Sequence, residues 1–117
     1  MEKTIAIDGV EVKLKSSAVT YIKYRSVFRE DLFTGLQDIG SKISDGQVFP
    51  EGAVELLLKA TYIMATQAGE KRGFEDWLDQ FSLRGSLDCI GEVYEMLLDD
   101  QAPIEEAKKN NDRLSEE

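Results

Sequence analysis

The chain has 117 residues, with 14 basic and 23 acidic side chains and a formal net charge of −9. This length suits one domain that can bury most of its apolar surface, whereas the charge repels nucleic-acid phosphates and anionic lipid headgroups. We therefore expect neither a nucleic acid nor a membrane surface as a partner.

The first predicted element is a β-hairpin over residues 4–14. Asp8-Gly9 is a typical two-residue hairpin turn, because both positions accept positive φ, and apolar residues alternate on either side of it. The turn forms two apolar pairs on one face, Ile7 with Val10 and Ile5 with Val12. A lone hairpin is marginally stable in water, so this face must cover helices or pair with another chain. An open strand edge also makes the hairpin a candidate for self-association.

Ser16-Ser17 supplies the N-cap of a helix from Ala18 to near Glu30, because a serine hydroxyl accepts from the first-turn amides. An apolar stripe at helical spacing continues further, so either one long helix continues or a second begins around Asp31. The stripe consists of Tyr21, Tyr24, Phe28, Leu32, Leu36, Ile39 and Ile43. Two glycines weaken its second half, and turn residues predict a loop over 44–50.

A helix is predicted from about Glu51 to Ala68, with Pro50-Glu51 suiting its first turn and Gly69 its end. It is apolar on nearly every side, which is typical of a central helix. A short helix over 74–81 follows and carries the only tryptophan. The segment 84–86 is predicted to break the chain again.

The last core helix is predicted from about Leu87 to Asp99. Its inward-facing residues are Leu87, Ile90, Val93, Tyr94, Leu97 and Leu98. Residues 104–117 contain too few apolar groups to offset the entropy of ordering them, so we expect a frayed helix and a disordered charged tail. The sequence thus predicts a mainly α fold, one domain over 1–103 with about four to five helices and an N-terminal β-hairpin.

Catalytic and metal-binding constellations are not evident in the sequence. Histidine is absent and Cys89 is the only cysteine, which excludes an intrachain disulfide and the usual Cys/His zinc sites. Cys89 lies in a helical apolar pattern, where a free cysteine packs as a small hydrophobe. The acidic pairs fall on polar helix faces or at helix ends, and no glycine-rich phosphate loop follows a strand. We predict a protein that is not an enzyme and has no cofactor, metal or catalytic residue.

No signal-peptide stretch begins the chain and no apolar run is long enough to span a membrane, so we expect an intracellular protein. Aromatic residues at helical spacing are typical of a core, which is our interpretation of Tyr24, Phe28, Trp77 and Phe81. Tyrosine is enriched at interfaces. Two other tyrosines, Tyr21 and Tyr62, are therefore our candidates for partly exposed protein-binding residues.

Four sequence motifs follow one another along most of the chain. They are Thr-Ile-x-Ile-Asp-Gly-x-Glu-Val at 4–12, Tyr-Arg-x-x-Phe-x-x-Asp-Leu-Phe at 24–33, Ala-Thr-Tyr-x-Met-Ala at 60–65 and Phe-Glu-x-Trp-Leu-Asp-x-Phe at 74–81. In this order the chain resembles the tail assembly chaperones of long-tailed, siphovirus-type bacteriophages and Gram-positive prophages. Where relatives often carry Phe-Gly-x-Asp, this chain has Phe28-Arg29-Glu30-Asp31, which favours a continuous helix.

The resemblance implies a non-enzymatic role in virion morphogenesis. Such a chaperone holds the long, aggregation-prone tape measure protein soluble and helps recruit tail tube protein before it leaves the finished tail. Its implied location is the cytoplasm of the bacterial host, and it is not expected in the mature virion.

An acidic helical regulatory or inhibitor module that binds a basic protein surface is the alternative function. A mimic of DNA would need its carboxylates on one continuous face. Here they are spread along the chain, for example at Glu2, Glu11, Glu51, Asp76, Glu95 and Glu117.

Overall fold

The computed structural model describes residues 1–44 and 50–101. Its elements are β1 (Glu2–Ile7), β2 (Val10–Lys15), α1 (Ala18–Phe28), α2 (Leu32–Ser44), α3 (Ala53–Gln67), α4 (Phe74–Asp79) and α5 (Leu83–Asp100). The predicted mainly α fold with an N-terminal hairpin is confirmed. The interior of the predicted loop, 45–49, and the predicted tail, 104–117, lie outside the described residues.

The hairpin forms with the predicted turn and register. Asp8 and Gly9 have φ values of 54° and 77°, and both predicted cross-strand pairs are present. The apolar face is buried except at Val10, which is exposed next to the turn. Strand β1 packs on α5 and β2 on α3, so the face covers helices of its own chain.

Asp8 also connects the hairpin to the start of α5. Its carboxylate accepts hydrogen bonds from the Ser82 amide at 2.5 Å and the Ser82 hydroxyl at 2.9 Å. Ser82 is the N-cap of α5, and its hydroxyl oxygen accepts from the Gly85 amide at 3.0 Å. The Asp8 charge thereby lies at the positive end of the helix dipole. The predicted break at 84–86 is wrong, because this double cap starts the helix at Leu83.

The buried stripe of α5 also differs from the predicted one. Leu87 and Leu98 are each 41% exposed, although both were expected to face inward. The buried residues are Gly85, Ser86, Cys89, Ile90, Val93, Met96 and Leu97. Asp8 approaches the helix at Gly85, where a Cβ would overlap its carboxylate. Only a glycine leaves room for this contact.

Helices α1 and α2 are separate, which confirms the alternative of a second helix that begins around Asp31. The continuous helix that Phe28-Arg29-Glu30-Asp31 favoured is wrong. Arg29 has a left-handed φ of 60°, and its amide donates to the Arg25 carbonyl at 2.8 Å. Asp31 then accepts hydrogen bonds from the amide and hydroxyl of Thr34. This capping and the burial of Leu32 offset the cost of left-handed backbone at a non-glycine residue.

Helix α3 occupies the centre, as its apolar sequence predicts. Of its residues, Leu57, Leu58 and Ala60 to Ala65 are buried. It contacts β2, α1, α2, α4 and α5. Gly52, rather than Pro50-Glu51, begins the helix as its N-cap, and Gly69 follows its end with a φ of 116°. The central helix therefore organises the packing of the domain.

Candidate protein-binding site

The two tyrosines predicted to bind a partner lie in different environments. Tyr62 is only 9% exposed, and its hydroxyl donates to the Arg72 carbonyl at 2.7 Å. Its ring centroid lies 5.4 Å from that of Phe74 and 5.6 Å from that of Trp77. The expected partial exposure of Tyr62 is therefore wrong for the single chain, because the ring completes an aromatic cluster around α3. Its role in binding a partner stays a prediction.

Lys59 closes one side of this aromatic cluster. Its ammonium lies 5.2 Å from the centroid of the Phe28 ring, 2.8 Å from Glu30 and 3.2 Å from Glu55. Burial lowers the pKa of Lys59, but hydrogen bonds to the two carboxylates outweigh it and leave the pKa raised. The charged cation thus packs over the face of the Phe28 ring.

Tyr21, in contrast, borders an open groove of about 620 Å³. The groove lies between the start of α1, the start of α2 and the end of α5. Two further large apolar side chains, Met1 and Phe33, line it and are exposed. A concave apolar surface of this kind can receive a side chain of another protein. The structure therefore agrees with the partial exposure expected for Tyr21.

Four polar atoms are buried at this groove without a hydrogen bond from the described residues. They are Ser16 Oγ, the Tyr21 hydroxyl, Asp100 Oδ2 and Gln101 Nε2. Burial raises the pKa of Tyr21; the nearby Gln101 amide opposes this rise and the Asp100 charge adds to it. The phenol is thus protonated at neutral pH and can donate. Buried polar groups need partners, so water or a polar group of a bound protein must satisfy them.

The outward face of α1 continues this surface and was not predicted from the sequence. Val19, Ile22 and Val27 are all exposed, with Ile22 at 69%. Ile22 lies one helical turn from Ala18, which lines the groove. Three basic residues, Lys23, Arg25 and Arg29, are exposed alongside. The sequence does contain a sign of this exposure, because Val19, Ile22 and Val27 are not part of the apolar stripe that continues from α1 into α2.

Hydrogen bonds at its N-terminus hold α1 in place. Ser17 and Thr20 form a capping box, in which the Ser17 amide donates to the Thr20 hydroxyl oxygen at 3.0 Å. The Thr20 hydroxyl donates in turn to Gln67 Oε1 of α3 at 2.6 Å. Together with buried Tyr24, these contacts fix which face of α1 points outward.

The remaining chemistry of the described residues offers little for catalysis. Burial raises the pKa of the Cys89 thiol to about 11, which keeps this nucleophile protonated at neutral pH. Among residues 1–44 and 50–101, no group of three potential ligands is placed to hold a metal ion. None of the helices in these ranges has the length and apolarity required to cross a membrane. Comparisons with protein families, curated proteins and solved structures find no match for this chain.

Proposed function

We propose that this protein is a tail assembly chaperone of a long-tailed bacteriophage or Gram-positive prophage. It binds the tape measure protein, helps recruit tail tube subunits in the host cytoplasm, and leaves before the virion is mature. The observation that carries the proposal is the order of four motifs along most of the chain. These motifs belong to separate parts of the fold: the hairpin, the α1–α2 junction, α3 and α4.

The surface of the protein suits this role. A chaperone for an aggregation-prone client needs exposed apolar residues, and here they occur at the Tyr21 groove and along α1. Contiguous exposed apolar surface marks sites of protein interaction. The net charge of −9 keeps such a protein dispersed while part of its apolar surface is open. Both properties support binding to a protein client.

A small contact surface is sufficient if the client is long. Several copies bound in series can shield most of an apolar client stripe, although each contact is weak. Helix α1 contributes only 11 residues, so each contact area is limited. A client with repeated binding segments would compensate for this limit.

The proposal is tested by co-expression with the tape measure protein encoded in the same gene cluster. We expect the tape measure protein to become soluble and to co-purify with this chain, with no measurable binding to duplex DNA at physiological salt. An unrelated acidic helical protein of similar size serves as the matched control. The chaperone assignment fails if the tape measure protein stays insoluble and no complex forms at micromolar concentrations. An acidic inhibitor of a basic protein then becomes the leading hypothesis.

A further inference from the structure

We propose that the outward face of α1 is a docking surface for an acidic amphipathic helix of a partner protein. The surface consists of apolar Val19, Ile22 and Val27 and of basic Lys23, Arg25 and Arg29, and we call it the α1 surface. All six side chains are exposed. The backbone of α1 packs on α2 and α3, and its Phe28 ring also contacts Phe74 of α4. These contacts involve the opposite face of α1, where Thr20 and Tyr24 are buried.

The apolar residues of the α1 surface do not serve the stability of the isolated chain. Val19, Ile22 and Val27 are all β-branched, and such residues have lower helix propensity than alanine, glutamate or lysine. They also gain little from burial, because at least 47% of each remains exposed. A surface helix selected for stability alone would carry polar helix formers here. Contact with another molecule gives these residues a role.

The charges of the α1 surface identify the chemistry of that molecule. From Ala18 to Arg29 the sequence has three basic residues and no acidic one, although the whole chain carries −9. None of the three cations forms a salt bridge within the described residues. The surface therefore favours carboxylates that flank an apolar stripe.

The opposite net charge of the chain does not cancel this local preference. Long-range repulsion of an acidic partner is screened beyond about 8–10 Å at physiological salt. Within contact distance, Lys23, Arg25 and Arg29 attract the partner's carboxylates, although Arg25 also lies near the Asp31 carboxylate. A basic helix would instead face like charges at this surface. The charge pattern thus specifies both the class of helix and the face on which it binds.

The dimensions of α1 indicate how strong the contact can be. An 11-residue helix is about 16 Å long, which matches three turns of a partner helix. Such a contact lies below the area of a standard stable interface and belongs to the weak, transient class. In the tail assembly role, on which this step rests, the partner is a repeated acidic helix of the client. Avidity along the client then supplies the affinity that one contact lacks.

Binding is tested directly with synthetic helical peptides and the full-length chain. The probe carries leucines at i, i+3, i+4 and i+7 with flanking glutamates, and its control replaces every flanking glutamate with lysine. Fluorescence anisotropy measures the dissociation constant. We expect the glutamate peptide to bind at least about tenfold more tightly than the lysine peptide. Raising NaCl from about 50 mM to about 500 mM should weaken it. Equal affinity for both peptides would overturn the charge argument.

Substitutions on α1, with matched control substitutions on α5, test where the peptide binds. Ile22→Ser and Arg25→Glu should each weaken peptide binding at least about fivefold. The controls are Leu83→Ser and Arg84→Glu, because Leu83 is 75% exposed and Arg84 is exposed beside it. They should change affinity less than about twofold. Larger losses from the α5 variants than from the α1 variants would place the docking surface elsewhere and overturn the proposal.

Two further outcomes separate this inference from the proposed function. If the acidic peptide binds at α1 but the tape measure protein stays insoluble, the docking surface stands and the chaperone role fails. If the tape measure protein is kept soluble equally well by the Ile22→Ser chain, the chaperone role stands and the docking surface is wrong. A peptide-free change in sedimentation upon Ile22→Ser would identify a second copy of this chain as the occupant, which also overturns the proposal.

Discussion

Helices α1 and α3 are both apolar on more than one face, yet only α3 is covered on nearly all sides. Five elements contact α3, whereas among the described elements α1 packs mainly on α2 and α3 and reaches α4 through the ring of Phe28. On α3 the side chains from Ala60 to Ala65 are buried in sequence. On α1 Tyr24 is buried while Ile22, two residues earlier, is mostly exposed. All-round apolarity therefore predicts burial only where enough of the chain is available to cover the helix.

The number of helices and strands that can pack on each helix explains why α3 is buried and α1 is partly exposed. The hairpin, α4 and α5 all pack on α3. A domain of 117 residues has only seven described elements, so few remain to cover α1. Apolar residues that remain uncovered are then available to a partner. Three experiments test this comparison of a covered and an open helix, in order of decreasing effect on stability.

The largest effect is expected at Trp77 of α4, the largest buried side chain of the described elements that pack on α3. This side chain is 2% exposed and its ring lies 5.3 Å from that of Phe81. Trp77→Ala should lower the free energy of unfolding by about 3–5 kcal/mol, since it empties a large buried site. Urea titration measures the loss, with exposed Phe33→Ala as the control. A loss below about 1 kcal/mol would show that Trp77 is open to solvent and belongs to a binding surface.

The hairpin covers α3 through β2, and its turn should show the next largest effect. Gly9→Val introduces a β-branched residue at a φ of 77°, which costs roughly 1–2 kcal/mol or more. Lys13→Ala, on the exposed face of β2, should change stability by less than about 0.5 kcal/mol. Thermal unfolding of both variants measures the difference. Equal stabilities would contradict the two-residue turn and the role of the hairpin as cover.

The sequence predicts those parts of the fold that depend on local chemistry. The Asp8-Gly9 turn, the Ser17 cap and the end of α3 before Gly69 are set by residues within a few positions, and the structure has all three. The burial of Trp77 and Cys89 follows from helical periodicity. Periodicity, however, reports which residues are apolar and not which elements cover them. It therefore predicted a core correctly but did not find the open face of α1.

The errors arise where residues distant in sequence meet. Asp8 caps α5 across 74 positions, so the sequence around Gly85 suggests a break when read alone. Leu87 and Leu98 of the same helix are exposed, because helical spacing alone does not tell which face of α5 the other elements cover. At Arg29, packing of α2 on α3 favours left-handed backbone that local preference disfavours. The Tyr62 ring was expected to be partly exposed because tyrosine is enriched at interfaces, but its aromatic partners on α4, a separate segment, bury it.

The smallest effect is the sharpest test of the open face of α1. Ile22→Val and Ile63→Val delete the same methyl group, one from a residue that is 69% exposed and one from a residue that is 1% exposed. The α3 variant should lose about 0.5–1.5 kcal/mol, the usual cost of this change in a core. The α1 variant should lose less than about 0.3 kcal/mol, because water already surrounds the methyl group. Chemical denaturation at two protein concentrations measures the loss of stability in both variants.

Equal losses at low concentration would mean that Ile22 is buried within the single chain, and the contrast between α1 and α3 would be wrong. A loss at Ile22 that grows with protein concentration would mean that another copy covers this face, since only an association equilibrium makes stability depend on concentration.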